Sequence, residues 1–296
     1  MTEKIQAIRG MNDLLPADSH HWEYVESLLR TWLSDYGYKN IRMPIVEDTR
    51  LFVRSIGEAT DIVEKEMYTF TDSLNGDSLT LRPEGTASCL RAVLQNNLLY
   101  NTTQRLWYTG PMFRHERPQK GRYRQFHQVG AEIIGEEDPI LDAKTMYIMK
   151  NILDGIGLAG CYTLKINSLG VLKEREKYLS ELQAFFENKK HLLDEVDLAR
   201  LASNPLRLLD SKNEDVQAML TQAPKMTDFL KKDSLEFYTK VKEYLDILEV
   251  PYVEDPTLVR GLDYYSHTVF EFVDGSGRTQ DAFGGGGRYD GLSKSI

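Results

Sequence analysis

The chain has 296 residues, of which 41% are hydrophobic and 27% charged, and a formal net charge of -9. At roughly 150 residues per domain this length implies about two domains, or one large domain carrying an insertion. The composition is that of a globular protein without low-complexity tracts; no run of about 18 apolar residues exists for a membrane span, and the net acidity argues against coating nucleic acid by bulk charge.

In chain order, Trp22, Val25, Leu29, Trp32, Leu33 and Tyr36 recur at helical spacing, which predicts a helix over 18–36 capped by Asp18 or Ser19 and stopped by Gly37. KNIRMPIV, residues 39–46, reads as a short strand that Pro44 interrupts, because proline has no N–H for a ladder and belongs at an edge, a bend or an interface. EMYTFTDSLNGDSLTLR, 66–82, predicts two strands joined by a turn at Asn75-Gly76. Residues 86–100 read as helix and 104–115 and 124–134 as strands, while Asp138-Pro139 opens a further helix. Strand pairs alternating with helices give an α+β class with a mostly antiparallel sheet.

From Val171 to Arg260 the sequence contains no glycine, and LKEREKYLSELQAFF and DSLEFYTKVKEYLDIL carry helical periodicity. The stretch predicts a helical module inserted into a sheet domain. Strand-like text resumes in LVRGLDYYSHTVFEFV and RTQDAFGGGGRYDGL, separated by a turn at DGSGR. No internal repeat is present. The N-terminal MTEKIQAIRGMNDLLP lacks the layout of a signal peptide, so the expected location is the cytoplasm. Cys89 and Cys161 lie far apart with no Cys or His at metal-ligand spacing, so reduced thiols and no metal site are expected.

Four stretches carry candidate chemistry. Neither a GxxxxGK[ST] loop nor a helix-opening GxGxxG occurs, and the His115-Glu116 pair is followed by Pro118 and Gln119 where a HExxH zinc helix needs its second histidine. A phosphate site in this chain must therefore use arginine side chains. FRHERPQKGRYRQFHQ, 113–128, supplies them: Arg114, Glu116, Arg124, Phe126 and Gln128 alternate on two strands joined by a Pro/Gly turn, and Phe126 or Tyr123 can stack on a base. A solvated hairpin whose charges block edge pairing is the plain alternative. In LRPEGTASCLRAVL, 81–94, Thr86 is expected to cap the helix and Glu84 to face outward at the sheet end, where a carboxylate can hold an ammonium group. The glycines of FGGGGRYDG, 283–291, mark close approach of a ligand or another backbone. LVRGLDYY, 258–265, sets Arg260 ahead of the adjacent Tyr264 and Tyr265, and because adjacent residues on a strand face opposite sides, only one of the two can face a given pocket.

Together these stretches resemble histidyl-tRNA synthetases, a class II aminoacyl-tRNA synthetase family. FRHERPQKGRYRQFHQ resembles motif 2 in its histidyl form, LRPEGT, LVRGLDYY and GGGGRYDGL the histidine-specific segments, and IRMPIVED with Pro44 motif 1, while the HIGH and KMSKS signatures of class I are absent. The resemblance implies histidine activation by ATP to histidyl-adenylate and pyrophosphate, then transfer to tRNA(His), with Mg2+ accompanying ATP. It implies that Arg114 holds the α-phosphate, Arg122 the β and γ phosphates, and that Glu116, Tyr123 and Phe126 line the adenine. Glu84, Gly85, Thr86 and Gln128 fall where the family binds the α-ammonium of histidine, and Glu132 with Tyr264 and Tyr265 where it reads the imidazole. Arg260 falls at the arginine that spans the histidine carboxylate and the α-phosphate. The implied organisation is a catalytic domain in two parts, 1–170 and 254–296, around a helical insertion at 171–253 that reaches toward the tRNA acceptor arm, and a homodimer built on motif 1. Motif 3 and the anticodon-binding domain are not found before Ile296, so a catalytic portion with impaired turnover is expected. Two rivals are weighed: the non-catalytic, synthetase-like regulatory subunit of ATP phosphoribosyltransferase, which would have lost activation residues retained here, and an RNA-binding module, which leaves Glu84, Glu132 and the tyrosine pair without a role.

Overall fold

A computed structural model describes residues 4–58, 60–275 and 282–296. The chain divides into two compact units, residues 1–137 with 292–296, and residues 138–291. The expected turn at DGSGR lies largely in 276–281, outside the described residues.

In the first unit α1 (Pro16–Asp35) starts two residues before the expected Asp18, because Pro16, with φ already suited to a helix and no N–H to leave unpaired, takes the first helical position after Leu15. Its buried stripe centres on Leu29 and Leu33. β1 (Lys39–Asn40) is only two residues long, the chain from Ile41 to Ile45 makes no ladder, and pairing resumes in β2 (Val46–Asp48). Pro44 therefore separates two strands instead of interrupting one. Arg82 holds this segment in place, donating to the carbonyls of Met43 (3.1 Å), Pro44 (3.4 Å) and Pro111 (3.0 Å).

α2 (Thr49–Ile56) buries Phe52 and Ile56 and leads to β3 (Tyr68–Thr71), β4 (Ser78–Leu81) and α3 (Thr86–Gln95). α3 ends five residues short of the expected 100, since Asn97 adopts φ 52°, a left-handed turn. β4 lies between β2 and β3, antiparallel to both. β5 (Gln104–Phe113) pairs along its whole length with β6 (Gln125–Ile134), and β1 runs parallel on its other side. In this register Leu106, Tyr108, Gly110 and Met112 oppose Glu132, Gly130, Gln128 and Phe126. Direct partners share a sheet face, so Phe126, Gln128, Gly130 and Glu132 form one row.

The second unit opens with α4 (Pro139–Leu153), whose N-cap Asp138 accepts from the Ile140 N–H (3.0 Å), followed by β7 (Tyr162–Ser168). The helices α5 (Leu172–Glu187), α6 (Glu195–Ser203) and α7 (Glu214–Leu220) close around a core of their own that includes Tyr178, Leu182, Phe186, Leu201, Leu208 and Val216. The next helix, α8 (Lys232–Ile247), turns instead to the sheet, where Tyr238, Val241 and Leu245 pack with Met146, Leu164, Ile166, Phe270 and Phe272. Glu174, at the start of α5, ties the two cores by accepting from the N–H groups of Val171 (2.9 Å) and Lys231 (2.7 Å) and from Ser234 Oγ (2.9 Å). β8 (Val253–Glu254), β9 (Ser266–Asp274) and β10 (Ala282–Arg288) complete a sheet ordered β10-β9-β7-β8. Among the described residues only its β7–β8 pair is parallel, and with one parallel pair in the first unit the structure is α+β and mostly antiparallel.

Candidate active site

The strand-to-helix junction of the first unit concentrates buried polar groups. Glu84 does not face outward: its side chain is buried, with Oε2 accepting from the Thr86 N–H (2.6 Å) and Oε1 from the Ala87 N–H (2.9 Å). A carboxylate over the first turn satisfies donors that a helix leaves unpaired and complements its dipole. It therefore takes over the capping expected of Thr86, whose hydroxyl turns away and donates to Glu132 Oε1 (2.8 Å). Tyr108 donates its phenolic proton to the same oxygen (3.0 Å). Its ring is wedged between Gly85 and Gly130, where an added Cβ would lie 2.2 and 2.1 Å from ring atoms. Gly85 is thus a packing requirement, and Tyr108 is a member of the cluster that sequence reasoning missed.

Burial pushes the Glu84 carboxyl up to about 7 from 4.5, against the two backbone N–H groups and with a further push from Glu132. Folding then favours the protonated form: the stability this group contributes is complete below pH 4.5 and is lost as pH rises through about 7. Raising the pH from 5 to 8 should cost the native protein about 2 kcal/mol more than it costs Glu84→Gln, read by urea unfolding at a series of pH values. Parallel pH profiles for the two proteins would refute this. Tyr108, raised far above the usual phenol range by burial and then by Glu132 and Glu84, remains a hydrogen-bond donor throughout.

Beyond the strand ends, Arg114 donates from Nε to the Pro83 carbonyl (3.0 Å) and lies over the Phe126 ring, 5.1 Å from its centroid. Gln128, next along the row, has a buried Oε1 with no hydrogen-bond partner. Arg122 reaches Glu116 at 3.5 Å and Tyr123 is exposed. Arg124 donates to the Glu116 carbonyl (3.1 Å), which closes the basic turn on itself. The first unit thus sets Phe126, Gln128 and Glu132 in a row along one face of the β5–β6 pair, with Tyr108, Thr86 and Glu84 around Glu132 and Arg114 over Phe126, and leaves Arg122 and Tyr123 toward solvent.

The second unit holds the remaining candidates. Tyr264 and Tyr265 precede β9 in a turn, so strand alternation does not apply to them. Both are buried, and their rings meet at 4.6 Å between centroids. Arg175 of α5 donates to the Tyr265 carbonyl and Val259 packs against the core of α5–α7, so the 258–265 segment is anchored by the helices. Arg260 Nη1 contacts Glu271 Oε1 at 2.5 Å. The glycine run of β10 is a close-approach surface: a Cβ on Gly285 would lie 2.8 Å from Arg260 Nη1, and one on Gly287 2.9 Å from the Tyr265 ring. Arg288 is fixed by Asp142 (2.6 Å) and lies over Phe237.

Comparison with known proteins identifies the family. The family model for histidyl-tRNA synthetase matches residues 10–296. The histidine–tRNA ligase of Laribacter hongkongensis (strain HLHK9) is 57% identical over 296 residues, which are all of this chain and 70% of that protein. The crystal structure of apo S. aureus histidyl-tRNA synthetase superposes with a TM-score of 0.77 at 40% identity, covering 99% of this chain and 68% of that one. A Bacillus halodurans structure described as an ATP phosphoribosyltransferase regulatory subunit/histidyl-tRNA synthetase has a TM-score of 0.72 at 23% identity, covering 100% and 79% of the two chains, and shares the fold. With its sequence matched from Gly10 to Ile296 and its fold matched throughout, the chain belongs to the histidyl-tRNA synthetase family.

Proposed function

We propose that the chain activates L-histidine with ATP to give histidyl-adenylate and pyrophosphate, and passes the histidyl group to the 3′-terminal ribose of tRNA(His). It is an aminoacyl-tRNA ligase of the histidine type. The observation that carries the substrate assignment is the buried Glu132 carboxylate, fixed by two hydroxyl donors and suited to accept from an imidazole N–H. In this reading Glu132 with Tyr264 and Tyr265 recognises the imidazole, and Glu84, Gly85, Thr86 and Gln128 form the ammonium side. Arg114 holds the α-phosphate, Arg122 the outer phosphates, and Glu116, Tyr123 and Phe126 the adenine.

The histidine carboxylate attacks the α-phosphorus, and the bond to the bridging oxygen breaks as pyrophosphate leaves. The nucleophile is already ionised, so the step needs no general base; it needs cations to lower the repulsion between two anions. Arg260 and Arg114 are assigned that task. Mg2+, arriving with the outer phosphates, supplies further charge neutralisation there. Among the described residues no group of three or more His, Cys, Asp or Glu side chains is placed to hold such an ion, so the phosphates themselves would carry it.

Residues 171–253 are proposed as the insertion that meets the acceptor arm of tRNA, between catalytic parts 1–170 and 254–296. No described helix is long and apolar enough to cross a membrane, and the proposed location is the cytoplasm. L-histidine should support exchange of labelled pyrophosphate into ATP while other amino acids do not. A folded sample that neither exchanges nor binds histidine would overturn the assignment. The Pro44 segment, with Ile45 and Val46 exposed beside it, is proposed as the homodimer contact. Light scattering at micromolar concentration should give twice the 34.0 kDa chain mass, and a monomer mass would count against it.

A further inference from the structure

We propose that Glu271 is the positioning residue for Arg260, acting together with Gly285 as a cradle that fixes the guanidinium in its working orientation. The inference rests on the reading of Arg260 as the cation at the reacting phosphate. Glu271 of β9 and Gly285 of β10 are direct cross-strand partners, so the carboxylate and the bare glycine share one sheet face. Arg260, from the segment before β9, lays its guanidinium across that pair. Nη1 is 2.5 Å from Glu271 Oε1, and a Cβ on Gly285 would come within 2.8 Å of Nη1 and 3.1 Å of Cζ. A side chain at position 285 would meet both the Phe270 carbonyl oxygen, at 2.6 Å, and the seated guanidinium.

The fork geometry gives this arrangement its consequence. A guanidinium offers donors along two edges, and an anchor on Nη1 leaves the Nε edge oriented but not consumed. Nε is buried and has no hydrogen-bond partner. An arginine must lose the freedom of a long side chain before it can serve a transition state, and Glu271 takes up that ordering before substrate arrives. The neighbouring lysine does not compete for the carboxylate: Lys165, opposite Glu271 on β7, is paired with Asp255 at 2.8 Å.

The test is Glu271→Gln, which preserves size and removes the charge at a partly exposed position. Adenylate formation, followed by pyrophosphate exchange, should fall about 10- to 100-fold, with the KM for histidine changed less than about threefold. Glu271→Asp should recover part of the rate. Arg260→Ala is run in parallel. If it keeps the native rate, the reading of Arg260 itself fails; if it loses the rate while Glu271→Gln stays within about twofold of native, the positioning inference alone fails. A readout independent of turnover is the 15N NMR signal of the Arg260 guanidinium. Restricted rotation with separate Nη–H resonances in the native chain, averaged in Glu271→Gln, supports the cradle, and averaged resonances in the native chain overturn it.

Discussion

Replacing Arg260 with alanine is expected to slow histidyl-adenylate formation by about 10²- to 10³-fold, equivalent to roughly 3–4 kcal/mol of transition-state stabilisation, while histidine affinity weakens about threefold. The asymmetry follows from what the guanidinium does in the proposed step. In the ground state the histidine carboxylate has other partners and water to balance its charge. As its oxygen closes on the α-phosphorus, two anions are forced together, and a fixed cation between them gains most at that moment. The structure supplies the fixing: Arg260 is held by Glu271 at 2.5 Å and by the bare surface of Gly285, so little reorganisation accompanies the reaction. Arg260→Lys should recover little, because an ammonium cannot reproduce a planar fork that serves an anchor and an anion at once. Single-turnover rates at saturating histidine, set beside calorimetric dissociation constants, separate the two effects. Equal losses in rate and affinity would mean that Arg260 contributes to ground-state binding alone.

How far the site can be read from the sequence depends on the kind of interaction each residue makes. The placement of Phe126 and Gln128 is legible, because strand alternation is a local rule and the 104–115 and 124–134 segments carry strong strand patterns around a Pro/Gly turn, while Glu132 enters only through the family resemblance. The close approach at Gly284–Gly287 is legible too, since bare backbone inside strand text weakens the strand unless something packs directly against it. Tyr108 is not. In RLWYTGPMF it reads as one more core aromatic, and its position emerges only when β5–β6 register brings Gly130 beneath it and the α3 junction brings Gly85 above. Glu84 is misplaced by sequence reasoning for a related cause: proximity to a sheet end suggests exposure, whereas the N–H groups of Thr86 and Ala87 supply the hydrogen bonds that make its burial tolerable. Strand alternation misleads at Tyr264 and Tyr265 because the text around them is strand-like, but the strand starts one residue later at Ser266. Glu271, in TVFEFV, looks like an ordinary polar position on an alternating strand. Nothing local distinguishes a solvated glutamate from one that anchors an arginine eleven residues upstream.

The second large expected effect is on histidine recognition: Glu132→Gln should weaken histidine binding on the order of 100-fold and should lower the adenylate rate at saturating histidine much less. Glutamine is the informative substitution. Alanine would strand two buried hydroxyls, Thr86 Oγ1 and Tyr108 Oη, each at about 1–3 kcal/mol, so lost binding could be lost folding. Glutamine keeps the volume and can keep its carbonyl oxygen toward both donors, which turns its NH2 group to the other carboxylate position. There it presents a donor where an imidazole N–H also brings a donor, and a polar site made to pair with a ligand discriminates strongly once that pairing is reversed. Tyr108→Phe supplies the graded control. The ring still fills the space between Gly85 and Gly130, so the fold is retained, but Glu132 loses the Tyr108 donor and affinity should fall only severalfold. Calorimetric titration of L-histidine into the three proteins, with circular dichroism on the same samples, measures the series. Wild-type affinity in a folded Glu132→Gln sample would place imidazole recognition elsewhere; graded loss through Tyr108→Phe to Glu132→Gln would tie it to the carboxylate at the centre of the network.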